Sequence, residues 1–303
     1  CIRDRCILEQ GERGFCRVRV NSNGKLYSLV YGNPVAVHID PIEKKPLFHF
    51  YPTSKAFSIA TAGCNFRCLN CQNWEISQAF PEELKSYELM PASVVKLAIK
   101  NNCKSIAYTY NEPTVFYEYM FDTSKIASSY GLKNVWVTNG YINEKPLRRL
   151  CKYLHAANVD VKSFSENIYN KLNSGRLEPV LKTLKVLKEE NVWFEMTNLV
   201  VPTYTDKLDM IADMVDWIIK NLGKDYPLHF SRFYPHYKLT YLPPTPVDFL
   251  ERARKIAMER GMKYVYIGNV PGHEGQNTYC PRCNKLLVKR EGYSITELSL
   301  IHI

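Results

Sequence analysis

An α/β fold is what the sequence predicts: a mostly parallel sheet interleaved with helices, either doubly wound or closed part-way into a (β/α) barrel. A β-rich N-terminal cap and a short cysteine-containing C-terminal extension flank it. Three observations predict this. From about residue 56, β-prone runs alternate with longer helical patterns, the mark of βαβ units. The residues just after those runs are polar or coordinating: Gly63-Cys64, Asn111-Glu112, Thr138-Asn139-Gly140, Lys162-Ser163, Asn198, Arg232 and His236. Both architectures place ligands at the carboxyl ends of strands. Finally, 46% of the 303 residues are hydrophobic and 23% charged, enough to bury a core and too apolar for global disorder.

Taken in order, residues 1–55 read as the cap, with β-prone runs at 15–20 and 25–31 joined around Asn23-Gly24, a hairpin signal. Pro34, Pro41, Pro46 and Pro52 then punctuate a stretch expected to be irregular. Residues 56–268 carry the alternation. Its strands are expected at 56–61, 105–109, 134–138, 158–161, 192–200, 228–233 and 263–267, and its helices at 92–101, 115–130, 144–155, 178–191, 208–221 and 247–260. Gly131, Gly223 and Gly261 follow three of those helices closely. Residues 269–303 form the extension, with Cys280-Pro-Arg-Cys283 and a β-prone tail.

The charge balance, Lys+Arg 40 against Asp+Glu 30, gives a formal +10. It suits an acidic partner or an anionic cofactor without choosing one. No apolar run approaches the roughly 18 residues that span a bilayer, so no membrane partner is expected. No RNA-binding appendage is evident, so nucleic acid is not expected either. Ten cysteines in a chain with no visible signal segment read as reduced, cytoplasmic thiols, some of them metal ligands. The first residue is Cys1 rather than Met, read as a processed or trimmed start.

Cys64-Asn-Phe-Arg-Cys68-Leu-Asn-Cys71 follows the first strand of the alternating region. Three thiolates at this spacing bend around one cuboidal iron–sulfur cluster, soft anionic ligands for ferric and ferrous iron. No fourth cysteine follows nearby, which leaves one iron open. Zinc shared with distant residues is the alternative, although zinc sites usually show two separated pairs.

This triplet resembles the signature of the radical S-adenosylmethionine (radical SAM) superfamily, and Gln72-Asn73-Trp74-Glu75-Ile76-Ser77 makes it similar to the glycyl-radical-activating-enzyme-like branch. More narrowly, residues 36–50, 61–78, 108–119 and 277–292 resemble the radical SAM enzyme of the AmmeMemoRadiSam system. The resemblance implies a partial (β/α)6 TIM-type barrel holding a [4Fe–4S] cluster on Cys64, Cys68 and Cys71, with S-adenosylmethionine on the open iron. It implies reductive cleavage to methionine and a 5′-deoxyadenosyl radical that abstracts hydrogen from a small-molecule, peptide or protein substrate. Reduced flavodoxin or ferredoxin is the implied electron donor, and the other proteins of that system are implied partners. A glycyl-radical activase is the first alternative and an RNA-modifying radical enzyme the second. Val137, where activases often carry an acid, weakens the first.

The resemblance also assigns the cofactor pocket. Glu112 in Tyr110-Asn111-Glu112-Pro113 would accept hydrogen bonds from the methionyl ammonium. Thr138 and Asn139 would line the cofactor, as would Asp160 and Lys162, with Lys162 neutralising the methionyl carboxylate. His236 would stand near the ribose, and Asn198 can bond ribose or carboxylate. Asn70 stands where relatives carry an aromatic residue beside adenine, so Phe66 or Trp74 is expected to supply the ring. Asn73 and Asn111 complete the expected set.

Cys6, Cys16, Cys280 and Cys283 remain. The Cys280-x2-Cys283 spacing suits a tetrahedral thiolate site, and chain ends often lie close together. The four are therefore expected to combine around zinc or an auxiliary cluster, with Cys1 able to replace Cys6. Cys103 and Cys151 read as buried hydrophobes.

Overall fold

The structure, a computed structural model, describes residues 6–299; Cys1 lies outside them. It begins with a hairpin of β1 (Arg19–Ser22) and β2 (Lys25–Ser28). Asn23 at φ 53° and Gly24 at φ 72° make its turn. Both central residues of such a turn must be left-handed, which Asn-Gly tolerates best.

β3 (Ala36–Pro41) then pairs antiparallel with β4 (Lys55–Ala60). This corrects the expectation of an irregular proline-punctuated stretch. Pro41 ends a strand at the rim of the sheet, where its missing N–H costs little.

The chain continues through α1 (Trp74–Ser77), α2 (Pro91–Lys100), β5 (Ser105–Tyr108), α3 (Tyr117–Ser129), β6 (Lys133–Thr138), α4 (Glu144–Cys151) and β7 (Ala156–Asp160). It goes on with α5 (Glu166–Asn173), α6 (Leu177–Glu189), β8 (Trp193–Val200), α7 (Leu208–Asn221), β9 (Leu228–Arg232), α8 (Val247–Glu259) and β10 (Val265–Gly268). α5 was not foreseen; it is short and polar, and stops where Ser174 turns left-handed at φ 56°.

The sheet order is β10-β9-β8-β7-β6-β5-β4-β3, and β4 through β10 are parallel, each beside its neighbour in the chain. A doubly wound sheet reverses direction at a switch point. This one never does, so it winds as a partial TIM-type barrel. β4 beyond its first residue and all of β5 are buried, as expected where helices cover one face of a sheet and the barrel interior the other.

A separate three-stranded sheet, β11 (Thr278–Tyr279), β12 (Leu286–Glu291) and β13 (Ser294–Leu298), follows the barrel. Arg290 of β12 is fully buried and donates to the Phe48 carbonyl at 3.0 Å, and its guanidinium lies 4.1 Å from the centre of the Phe48 ring. That contact joins the C-terminal sheet to the segment between β3 and β4. Among the described residues, no helix is long and apolar enough to cross a membrane.

Candidate active site

The cysteine loop leaves the carboxyl end of β4 through Gly63, which has φ 86°. A Cβ there would meet the Cys16 carbonyl and lie 2.6 Å from a Val18 methyl, so only glycine lets the loop pass under the N-terminal segment. Asn111 donates to the carbonyls of Thr61 (2.6 Å) and Gly63 (2.7 Å) and fixes that exit. On the other side, Arg67 N–H and Leu69 N–H donate to Asn173 and Leu172 at the end of α5.

Each thiol faces a hydrogen-bond donor. Phe66 N–H lies 3.4 Å from Cys64 Sγ and Asn173 Nδ2 lies 3.2 Å from Cys68 Sγ, while Cys71 takes the Asn73 N–H and the Ser77 hydroxyl. Burial nonetheless pushes all three thiols above their ordinary value, Cys64 furthest. A bound cation would have to drive their deprotonation, as thiolate–metal sites generally require.

Glu112 is 1% exposed and saturated by protein donors. Its Oε1 accepts from Thr114 N–H (2.9 Å) and Thr114 Oγ1 (2.6 Å), and Oε2 from Asn139 N–H (2.7 Å); the Thr138 hydroxyl is 2.9 Å from both oxygens. The carboxylate thus ties the end of β5 to the end of β6. These bonds lock the strand ends, and Glu112 also lines the cavity in which the ammonium contact expected of it would lie. Burial raises its pKa, against those same hydrogen bonds. Asn139 Nδ2 donates to Asn65 Oδ1 at 2.8 Å, extending the lock to the cysteine loop.

Lys162 Nζ is 2.8 Å from Asp160 Oδ2. Burial alone would lower its pKa, but Asp160 and Cys68 outweigh burial and raise it. The ammonium is therefore a fixed positive charge beside the thiols.

One cavity of about 490 Å³ collects Cys64, Cys68, Cys71, Asn70, Asn73, Asn111, Glu112, Thr138, Asn139, Asp160 and Lys162, within the range of cofactor sites. Three amide oxygens on its wall, Asn70 Oδ1, Asn111 Oδ1 and Asn173 Oδ1, are buried without a donor among the described residues. Buried acceptors are rarely left so; they suit a ligand rich in N–H and O–H groups. Among the described residues, no three His, Cys, Asp or Glu side chains converge on a point that could hold a single ion. The donor set, three soft thiols with a lysine and orphaned amide oxygens, fits an iron–sulfur cluster with a polar organic ligand.

Other expected residues fall outside the cavity wall. His236 is exposed and absent from it, so the ribose contact is not brought to the site. Asn198 is buried, donates to the Val161 carbonyl at 2.7 Å, and does not reach the wall. Trp74 stacks on Tyr237 (5.2 Å, 14°) away from the wall, while Phe66 lines the cavity and packs on Tyr141 at 5.0 Å.

The expected Cys6, Cys16, Cys280 and Cys283 set is not assembled, and zinc has no support. The sulfurs of Cys6 and Cys16 both lie 3.7 Å from where a Gly14 Cβ would stand, and Cys16 packs over Gly63 at the carboxyl end of β4. Cys280 and Cys283 instead line a different surface with Met262, Lys263, Tyr264 and Val265, at the amino end of β10. The two cysteine pairs thus lie at different ends of the barrel.

Sequence reading missed Asn173, Lys45, Tyr110, Phe48, His229 and Gln276, all on the cavity wall. A histidine inside an apolar strand was the available signal for His229; the others arrive by tertiary folding.

A sequence profile of the radical SAM superfamily matches residues 58–218. The chain belongs to the radical SAM superfamily. Membership implies an enzyme with a [4Fe–4S] cluster and S-adenosylmethionine. The uncharacterized protein MJ0808 of Methanocaldococcus jannaschii is 54% identical over 285 residues, which are 94% of this chain and 85% of that protein. Among solved structures, a radical SAM methyltransferase from Sphaerobacter thermophilus matches with TM-score 0.56 at 11% identity, over 78% of this chain and 71% of that one. TYW1 with a lysine–pyruvate adduct bound matches with TM-score 0.52 at 18% identity, over 75% and 80%. These two likenesses concern the fold.

Proposed function

We propose that Cys64, Cys68 and Cys71 hold the [4Fe–4S] cluster and that S-adenosylmethionine lies against Asn70, Asn73, Asn111, Thr138, Asn139, Asp160 and Lys162. When bound, the pair supplies a carbon-centred radical able to remove a hydrogen atom from a substrate. Lys162 offsets thiolate charge and offers its ammonium to a carboxylate. The orphaned oxygens of Asn70, Asn111 and Asn173 accept from ammonium, amine or hydroxyl groups. Glu112 holds Thr138 and Asn139 in place, and Phe66, fully buried, excludes water. The observation that carries this reading is the convergence of three donor-supplied thiols and three unpartnered amide oxygens on one cavity.

We further assign the chain to the AmmeMemoRadiSam branch, with residues 1–55, 56–268 and 269–303 as cap, barrel and extension. A small-molecule, peptide or protein substrate, a flavodoxin or ferredoxin donor and a reducing cytoplasm suit this assignment. Val137 lines the cavity where an activase acid is expected, which favours the branch over protein-radical activation.

Anaerobic reconstitution with iron and sulfide tests the reading. Brown protein that yields 5′-deoxyadenosine under reduction supports it. Colourless protein, or turnover unchanged when Cys64, Cys68 and Cys71 are all replaced by Ala, rejects it.

A further inference from the structure

The same cavity reaches polar groups that the cofactor reading leaves unused. Glu195 and His229 are the third and second residues of β8 and β9. They therefore sit deeper in the barrel than the loops that carry the cysteines. Both are within 2% of complete burial, and His229 Nε2 is 2.7 Å from Glu195 Oε2. Glu195 Oε1 accepts the His49 N–H at 2.8 Å. Burial would raise the Glu195 pKa, but hydrogen bonds from the His229 ring and the His49 N–H act against it and hold it low.

A carboxylate accepts, so Nε2 carries the hydrogen, and on a neutral ring Nδ1 is then the acceptor. Among the described residues, no group bonds Nδ1. Phe48 (4.8 Å) and Tyr266 (5.1 Å) hold the ring, and His229 lines the cavity.

Gln276 is an independent observation. Its Nε2 donates to the Val270 carbonyl at 2.9 Å, which fixes the amide. Its Oε1 is buried without a donor on the same cavity wall, in a residue only 5% exposed. A buried acceptor lacking a donor calls for a ligand that supplies one, and a neutral His229 Nδ1 would be a second.

We propose that His229 is held as the neutral Nε2–H imidazole and that this deep end of the cavity is the substrate subsite, taking a hydroxyl- or amide-bearing group whose O–H or N–H hydrogens bond His229 Nδ1 and Gln276 Oε1. Glu195 is a positioning residue: it fixes the imidazole tautomer, as carboxylates do for ligating histidines. The inference rests on the cavity being a radical SAM site, and names the kind of substrate group that site receives.

The test is nuclear magnetic resonance of the reconstituted full chain labelled with ¹⁵N-histidine, titrated with acetamide and, separately, with N,N-dimethylacetamide, which lacks the N–H. The expected result is a His229 ring with bare Nδ1 whose signals move with acetamide and respond at least about tenfold more weakly to the dimethyl compound. Gln276→Leu should weaken the acetamide response and Gln276→Glu, which keeps an acceptor, should retain it. Glu195→Gln should replace the single tautomer signature with a mixture. A protonated Nδ1, or equal responses to both amides, overturns the proposal. Brown colour and 5′-deoxyadenosine formation are read in the same samples. A colourless sample with the acetamide response intact defeats only the cofactor reading; a brown, cleaving sample with equal responses defeats only the subsite.

Discussion

The two groups of cysteines look alike in sequence and end differently in space. Cys64, Cys68 and Cys71 share one loop at the carboxyl end of β4, line one cavity, and each faces a donor. Cys6 and Cys16 pack beside that loop, whereas Cys280 and Cys283 sit at the amino end of β10. The first group is gathered in one loop on one cavity, whereas the second is divided between the two ends of the barrel, and that division, rather than spacing, separates them.

The largest expected effect breaks the first group. Replacing Cys64, Cys68 or Cys71 singly with Ala should abolish the cluster chromophore and reduce 5′-deoxyadenosine formation to background, checked by visible absorption and product chromatography.

Glu112→Gln comes next, because the amide cannot accept from every donor now facing the carboxylate. Stability should fall by about 1–3 kcal/mol, read from denaturant unfolding. A smaller loss, about 0.5–1.5 kcal/mol, is expected from Asn173→Ala. The same change removes the N–H facing Cys68 Sγ and should lower the cluster's reduction potential, measured by redox titration.

The Asp40 carboxylate gives a pH-dependent contrast. Burial would raise its pKa, but hydrogen bonds from Lys45 and Tyr110 and the Lys45 charge hold it well below the ordinary 3.8. Its contribution is therefore complete above that value and lost as pH falls below it. Unfolding measured from about pH 5 down to about pH 2 should show a limb below about pH 4 that Asp40→Asn flattens. The smallest effect is expected from Cys280→Ser with Cys283→Ser, which should leave chromophore and 5′-deoxyadenosine formation unchanged.

Much of the barrel was legible because hydrophobic periodicity reports strands and helices locally, and the cysteine loop because its ligands are contiguous. β3 was hidden by prolines that an edge strand tolerates, and α5 by its polar, short sequence. Position after a strand did not settle which way a side chain points. Glu112 turns inward onto Thr114 and Thr138, whereas His236 faces solvent. Tyr110, at φ 67°, reaches Asp40 through its hydroxyl. Asn173 and His229 reach the cavity from elements distant in the chain, and pairings of that kind leave no local mark.

Mössbauer spectroscopy of the ⁵⁷Fe-reconstituted protein, with and without S-adenosylmethionine, tests the central claim most directly. Three cysteine-bound irons and one distinct iron whose parameters change when S-adenosylmethionine is added are the predicted result. Irons that are all equivalent and indifferent to that addition would contradict it.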